Sequence, residues 1–231
     1  MSHISMELID ADGAVRENAR LASDGSTRVD FLRKAGLSGA GFAAGGVLFT
    51  GLADPASAAI SSRRRSRRND VKILNYALTL EYLESEFYAR AVAGGAIIDP
   101  VVRRFAEVVA EHEATHVRRL RAVLGKAAIK KPSFDFGDAV SNQVKFRATA
   151  QVLEDVGVSA YAGQGPNLVQ RRAVVVALSI HSVEARHAAW IRFINAGSTT
   201  TASEQDLPAP VAFDQARTEK QVLKLAGPYI A

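Results

Sequence analysis

The sequence predicts an all-α protein: a four-helix bundle of two antiparallel hairpins joined by a long crossover, with one short helix after it. Three observations lead there. Alanine, leucine, glutamate and arginine dominate the middle of the chain while proline is sparse, which favours helix. Four apolar stripes at helical spacing lie between Asn69 and Asn195. The links between them are short, long and short in turn, the order that a bundle with one crossover needs.

Residues 1–58 form a polar n-region, expected to be disordered over residues 1–27, followed by a signal peptide. The stretch from Ser26 to Lys34 precedes a mildly apolar run from Ala35 to Ala53, and Ala56-Ser57-Ala58 supplies an A-x-A cleavage pattern. Thr27, Arg28, Phe31 and Leu32 fit the n-region of a twin-arginine export signal, whereas Val29 stands where the second arginine belongs. Export to a periplasm or the cell exterior is the expectation. Residues 59–68 are a basic linker containing Arg63, Arg64, Arg65, Arg67 and Arg68. Positive charge on that flank opposes threading, so an uncleaved anchor, with membrane contact through this segment, is the alternative. No aromatic residue interleaves the arginines to stack on bases, so no nucleic-acid partner is expected.

The bundle is assigned to residues 69–197. Its first helix runs from about Asp70 to Ala93, is capped by Asn69 or Asp70, and ends at Gly94-Gly95. Leu74, Ala77, Glu81, Ser85 and Tyr88 share its stripe. The second helix follows Asp99-Pro100, a cap and a proline at the first helical position. It carries Phe105, Val109, Glu113, His116, Leu120 and Val123 on one face and stops at Gly125. The third starts near Gly137-Asp138 and runs to about Ala162, with Val140, Val144, Arg147, Gln151, Glu154, Val158 and Tyr161 as its stripe. The fourth follows Gly165-Pro166-Asn167, runs to Asn195, and aligns Val174, Ala177, Ile180, Glu184, His187, Ile191 and Ile194. Links of about five residues within each pair force antiparallel hairpins. The dozen or so residues from Gly125 to Phe136 extend to about 40 Å. A helix of about 25 residues is about 37 Å long, so this link can run the length of the bundle. Residues 198–231 form a C-terminal extension with a short helix from about Thr218 to Leu225.

The two hairpins echo each other. Each reads Glu-x6-Tyr and then Glu-x-x-His: Glu81 and Tyr88 with Glu113 and His116, then Glu154 and Tyr161 with Glu184 and His187. Residues three apart share a helix face, so a glutamate and a histidine at that spacing can grip one ion. One glutamate from each of two helices, and a Glu-x-x-His from each of the other two, is the donor set of a di-metal carboxylate centre. Two dications bring four positive charges into a core, and four carboxylates neutralise them. The expected ligands are Glu81, Glu113, His116, Glu154, Glu184 and His187, with Glu81 and Glu154 bridging the two motifs. Two iron ions are the expected cofactor and manganese the alternative, because both accept these donors. The chain has no cysteine, which excludes disulfides, thiolate nucleophiles and cysteine-held zinc or iron–sulfur clusters.

Other side chains compete or assist. Glu84, one turn beyond Glu81, contends for the inner face, and the repeat favours Glu81. Tyr88 and Tyr161 are expected to hydrogen-bond or pack beside the ligands, with a redox role as the alternative. Asp155 is a candidate to orient a ligating histidine. His181, one turn before Glu184, is a candidate neighbour of the ligands or an extra ligand. His112 is placed off the metal-facing side, about 100° around the helix from Glu113.

Leu74–Tyr88, Glu111–Val117 and Val183–Ala189 resemble the ferritin-like domain proteins that include the desiccation-related group. The resemblance covers roughly residues 69–230, including Pro210–Asp214 of the tail. It implies a ferritin-like bundle whose site supports ferroxidase and iron storage, peroxide reduction, manganese catalase or oxygen-dependent oxidation. Without cysteine there is no attached rubredoxin-type electron site, which argues against a rubrerythrin of the usual kind. The expectation is an exported di-metal oxidoreductase of ferroxidase, peroxidase or catalase type. Oxygen, peroxide or ferrous iron is its expected substrate, in a stress-protective role. The alternative is a non-catalytic structural or desiccation-protective bundle with a structural metal site.

Overall fold

A computed structural model of the chain describes Ile60, residues 65–197 and residues 207–231. The expected signal peptide and most of the basic linker lie outside the described residues. The helices are α1 (Arg67–Gly94), α2 (Pro100–Leu124), α3 (Gln143–Gln164), α4 (Arg171–Asn195) and α5 (Glu219–Ala226). Among the described residues the only pairing of extended backbone is the isolated bridge between Phe134 and Ile230. No described helix is long and apolar enough to cross a membrane.

The start of α1 differs from the expectation. Ser66 is the cap, its side chain accepting from the Asn69 N–H, so Arg67 and Arg68 belong to the helix rather than to the linker. Asp70 is fully buried and caps a different element. Its carboxylate accepts from the Val169 and Gln170 N–H groups at 3.1 and 2.8 Å, just before α4, where Gln170 supplies no side-chain cap of its own. Asp70→Ala would leave two donors without partners in a partly buried turn. We expect it to lower the unfolding free energy by about 2–3 kcal/mol, seen as a lower urea midpoint; an unchanged midpoint would contradict this role.

Helix α2 follows its sequence signals closely. Asp99 accepts from the Val101 and Val102 N–H groups ahead of Pro100, and Gly125, at φ 57°, ends the helix in a conformation that a side chain would strain. The start of α3 does not. Gly137–Val140 is a separate 3-10 turn, and the α-helix begins at Gln143 with Asn142 as its cap. Within this one helix Val144 sits ten residues before Glu154, about 80° around from it, so Val144, expected inside, is 75% exposed, and Phe146, Ala150 and Leu153 fill the core instead.

α1 pairs with α2, α3 pairs with α4, and α2 also packs against α4. The crossover runs along α1. Asn75 donates to Ala127 O at 2.8 Å and accepts from Ile129 N, while Arg90, near the other end of the helix, donates to Phe134 O. The C-terminal tail covers α3 in the same manner: Arg217 N donates to Ser159 O, and a Cβ on Gly163 would fall 1.8 Å from Arg217 O. Thr218 and Gln221 then form a capping box that starts α5. Roofed by these segments, α1 buries every residue from Tyr76 to Glu84, and α3 every residue from Val156 to Tyr161. The interior beside the metal-type ligands is aromatic, with Phe87, Tyr88, Phe105 and Phe146 in ring contact.

Candidate metal centre

Each of the four long helices brings its glutamate to the bundle axis. Glu81, Glu113, Glu154 and Glu184 are fully buried, His187 is 2% exposed and His116 8%. Donor atoms of Glu81, Glu113, His116 and Glu184 lie within 4.8 Å of one another, and so do those of Glu113, Glu154, Glu184 and His187. Glu113 and Glu184 belong to both groups. The shared carboxylates therefore come from α2 and α4, in place of the Glu81 and Glu154 expected from the repeat. The reason is packing: α2 and α4 lie against each other, which puts their glutamates between the two groups, while α1 and α3 each serve one group.

The Nδ1 of His116 is 3.1 Å from Glu81 Oε2, Glu113 Oε2 and Glu184 Oε1. The Nδ1 of His187 is 3.1 Å from Glu113 Oε1 and 3.3 Å from Glu154 Oε2. The tyrosines cross between hairpins: Tyr88 donates to Glu154 Oε1 and Tyr161 to Glu81 Oε1, each at 2.5 Å. Each hairpin thus holds the other's single glutamate, and the two-fold repeat in the sequence becomes a two-fold site.

Several of these histidine contacts are ion pairs without hydrogen-bond alignment: Glu113 Oε1, Glu154 Oε2, Glu184 Oε1 and His187 Nδ1 are buried and make no aligned hydrogen bond, and Glu184 Oε2 is buried with no donor. A buried carboxylate oxygen without a donor is costly, and several converging ones call for a cation. Four carboxylates and two imidazoles around two foci match the charge and donor type of two divalent ions.

The charges are strongly coupled in the metal-free chain. Burial, and then the neighbouring Glu113, push Glu81 from its ordinary 4.5 up to about 8 against the pull of His116. Burial and the same carboxylates hold Glu184 and Glu84 well above the ordinary range. For Glu113 burial acts upward too, but the nearby imidazoles of His116 and His187 outweigh it and bring the group down to about 2. Burial opposes charge on His187, yet its contacts with Glu113 and Glu154 raise it to about 11. His116 is raised likewise.

These shifts set the pH dependence of the metal-free protein. Glu81 and His187 both bind protons more tightly folded than unfolded. Their stabilisation is therefore complete below the unfolded values of 4.5 and 6.5 and is lost as pH rises toward about 8 and about 11. Metal-free protein should melt at a lower temperature at pH 8 than at pH 6, as measured by calorimetry in chelator. A higher melting point at pH 8 would contradict these shifts.

Asp155, expected to orient a ligating histidine, instead pairs with Arg192 on α4, two bonds at 3.1 and 2.5 Å. Its helical phase turns it away from Glu154. His181 joins neither donor group. Its ring lies 6.5 Å from that of Tyr161, with a buried Nδ1 that has no partner. Both line an open cleft of about 350 Å³ with Pro166, Ala177 and Leu178. The histidine that touches a ligand is His112, which the sequence reading set aside. Its Nδ1 is 2.9 Å from His187 Nε2, and the rings stack at 5.2 Å. Burial, then His187 and His116, lower its proton affinity, so a neutral His112 can accept from His187 Nε2 and leave Nδ1 of His187 facing the carboxylates. Its spacing of one turn before His116 was the available signal. The contact itself depends on how α2 meets α4.

The model of the ferritin-like domain family matches residues 69–196, the four-helix segment that carries this site. No curated protein matches the chain.

Proposed function

The chain belongs to the ferritin-like domain family, and from that premise we propose that it binds two iron ions, or two manganese ions, at the buried glutamate–histidine cluster and serves as a di-metal oxidoreductase. The observation that carries this reading is the pair of donor groups sharing Glu113 and Glu184, with unsatisfied oxygens converging on them. Glu81, Glu113, His116 and Glu184 would hold one ion, and Glu113, Glu154, Glu184 and His187 the other. When bound, the pair supplies one-electron chemistry toward oxygen, peroxide or ferrous iron.

The protein's own residues prepare the site. Tyr88 and Tyr161 donate to Glu154 and Glu81, which fixes each carboxylate's rotation and favours its ionised form. His116 and His187, protonated in the metal-free chain, release those protons when they ligate. Roofing of α1 by the crossover and of α3 by the tail excludes water from the carboxylates. The cleft at Tyr161 and His181 reaches the far side of a tyrosine bonded to Glu81 and suits a small substrate or a proton path. An exported, stress-protective setting is part of the proposal and rests on the pattern from Ser26 to Ala58.

Elemental analysis of protein purified without chelators tests the reading. About two equivalents of iron or manganese per chain are expected, together with consumption of peroxide or oxidation of ferrous iron. Under a tenth of an equivalent after reconstitution would end it. Two metals without either activity would leave the structural alternative, which the joining of all four helices by one buried cluster favours. His112→Ala should weaken metal binding by about 10–100-fold by freeing the His187 ring. Competition against a chromogenic chelator measures this, and affinity within twofold of the unaltered protein would speak against it.

A further inference from the structure

Between the glutamate and the tyrosine of each repeat the two hairpins differ. Glu81 matches Glu154 and Tyr88 matches Tyr161, so Glu84 on α1 corresponds to Gly157 on α3. Glu84 is 2% exposed, and its Oε2 is buried without a partner. A Cβ placed on Gly157 would lie 3.2 Å from Glu84 Oε1 and 3.1 Å from Glu184 Oε2. The glycine thus leaves room for two carboxylates where an ordinary residue would crowd both. Along α1, Glu84 lies between Glu81 and Tyr88, whose hydroxyl bonds Glu154 of the second donor group. A fifth buried carboxylate exceeds the four that two divalent ions neutralise, and among the described residues Glu84 has no ion-pair partner.

We propose that Glu84 is a seventh ligand of the centre, admitted by Gly157 and directed to the ion held by Glu154 and His187. The two metal positions are then inequivalent: four protein ligands at the Glu81–His116 position and five at the Glu154–His187 position. The fifth carboxylate makes the latter fill first and favours a more highly charged ion there. This rests on the di-metal reading of the same cluster.

Cobalt(II) titration followed by absorption and calorimetry tests it. The unaltered protein should bind two equivalents in two resolved steps. Glu84→Gln should keep two equivalents, weaken the tighter step by at least tenfold and change its visible spectrum. Gly157→Ala, with Glu84 retained, should weaken the same step, and circular dichroism and melting of both metal-free variants check that they fold. Both variants titrating within twofold of the unaltered protein, with the same spectrum, would overturn the proposal while leaving the di-metal reading intact. Failure of the unaltered protein to bind cobalt at all would overturn both.

Discussion

Replacing Glu184 with alanine should reduce bound metal from two equivalents per chain to one or none. Glu184 belongs to both donor groups, and both of its oxygens are buried without an aligned hydrogen bond, His116 Nδ1 standing 3.1 Å from Oε1 as an ion pair. Its loss removes a ligand from each position and a quarter of the negative charge that the four expected glutamate ligands set against two dications. Glu113→Ala should behave the same way, since Glu113 is the other shared carboxylate. Glu81→Ala is the contrasting case: it belongs to one group and should cost one ion while the second remains. Elemental analysis of the variants after reconstitution measures this directly. Two retained equivalents in Glu184→Ala would contradict the assignment of the shared ligands. Misfolding is not expected to confuse the result, because the metal-free chain already pays a penalty for burying this carboxylate, and alanine removes it.

Metal loading should raise the melting temperature by about 8–16 °C. An ion present at about 1,000 times its dissociation constant stabilises the folded chain by about 4 kcal/mol. For a protein of this size each kcal/mol moves the melting point by about 2–4 °C. The physical source is the relief of carboxylates buried without partners: Glu81, Glu154 and Glu184 all hold their protons above the ordinary range in the absence of metal. Ligation must also displace protons from His116 and His187, so the rise should be larger at pH 8 than at pH 6. Scanning calorimetry with and without chelator reads both. A rise below about 2 °C, or a larger rise at the lower pH, would contradict the account.

Helices α2 and α4 were legible in detail because each has one face in the core and one in solvent. Phe105, Val109, Glu113, His116 and Leu120 are buried as their spacing requires, and so are Ala177, Ile180, Glu184, His187, Ile191 and Ile194. Helices α1 and α3 were legible only as helices. The crossover covers one and the tail the other, so consecutive residues on several faces are buried, and a stripe carries less information there. That is why Glu81 and Glu84 competed in the sequence when the structure buries both. It is also why Val144 was placed inside: the stripe was extended to the first turn of α3, where it has drifted about 80° from Glu154.

The sequence by itself determined the helical class, the pairing of helices through short links, and the Glu-x6-Tyr and Glu-x-x-His repeat. All of these depend on spacing along one helix or on link length, and local geometry fixes them. Only the tertiary structure decided which carboxylates are shared, that each tyrosine serves the opposite hairpin, that His112 meets His187, that Asp155 turns to Arg192, and that Gly157 opens space for Glu84. Each of those is a contact between helices, set by the rotation and height at which one packs on another. Spacing within a helix holds no record of either.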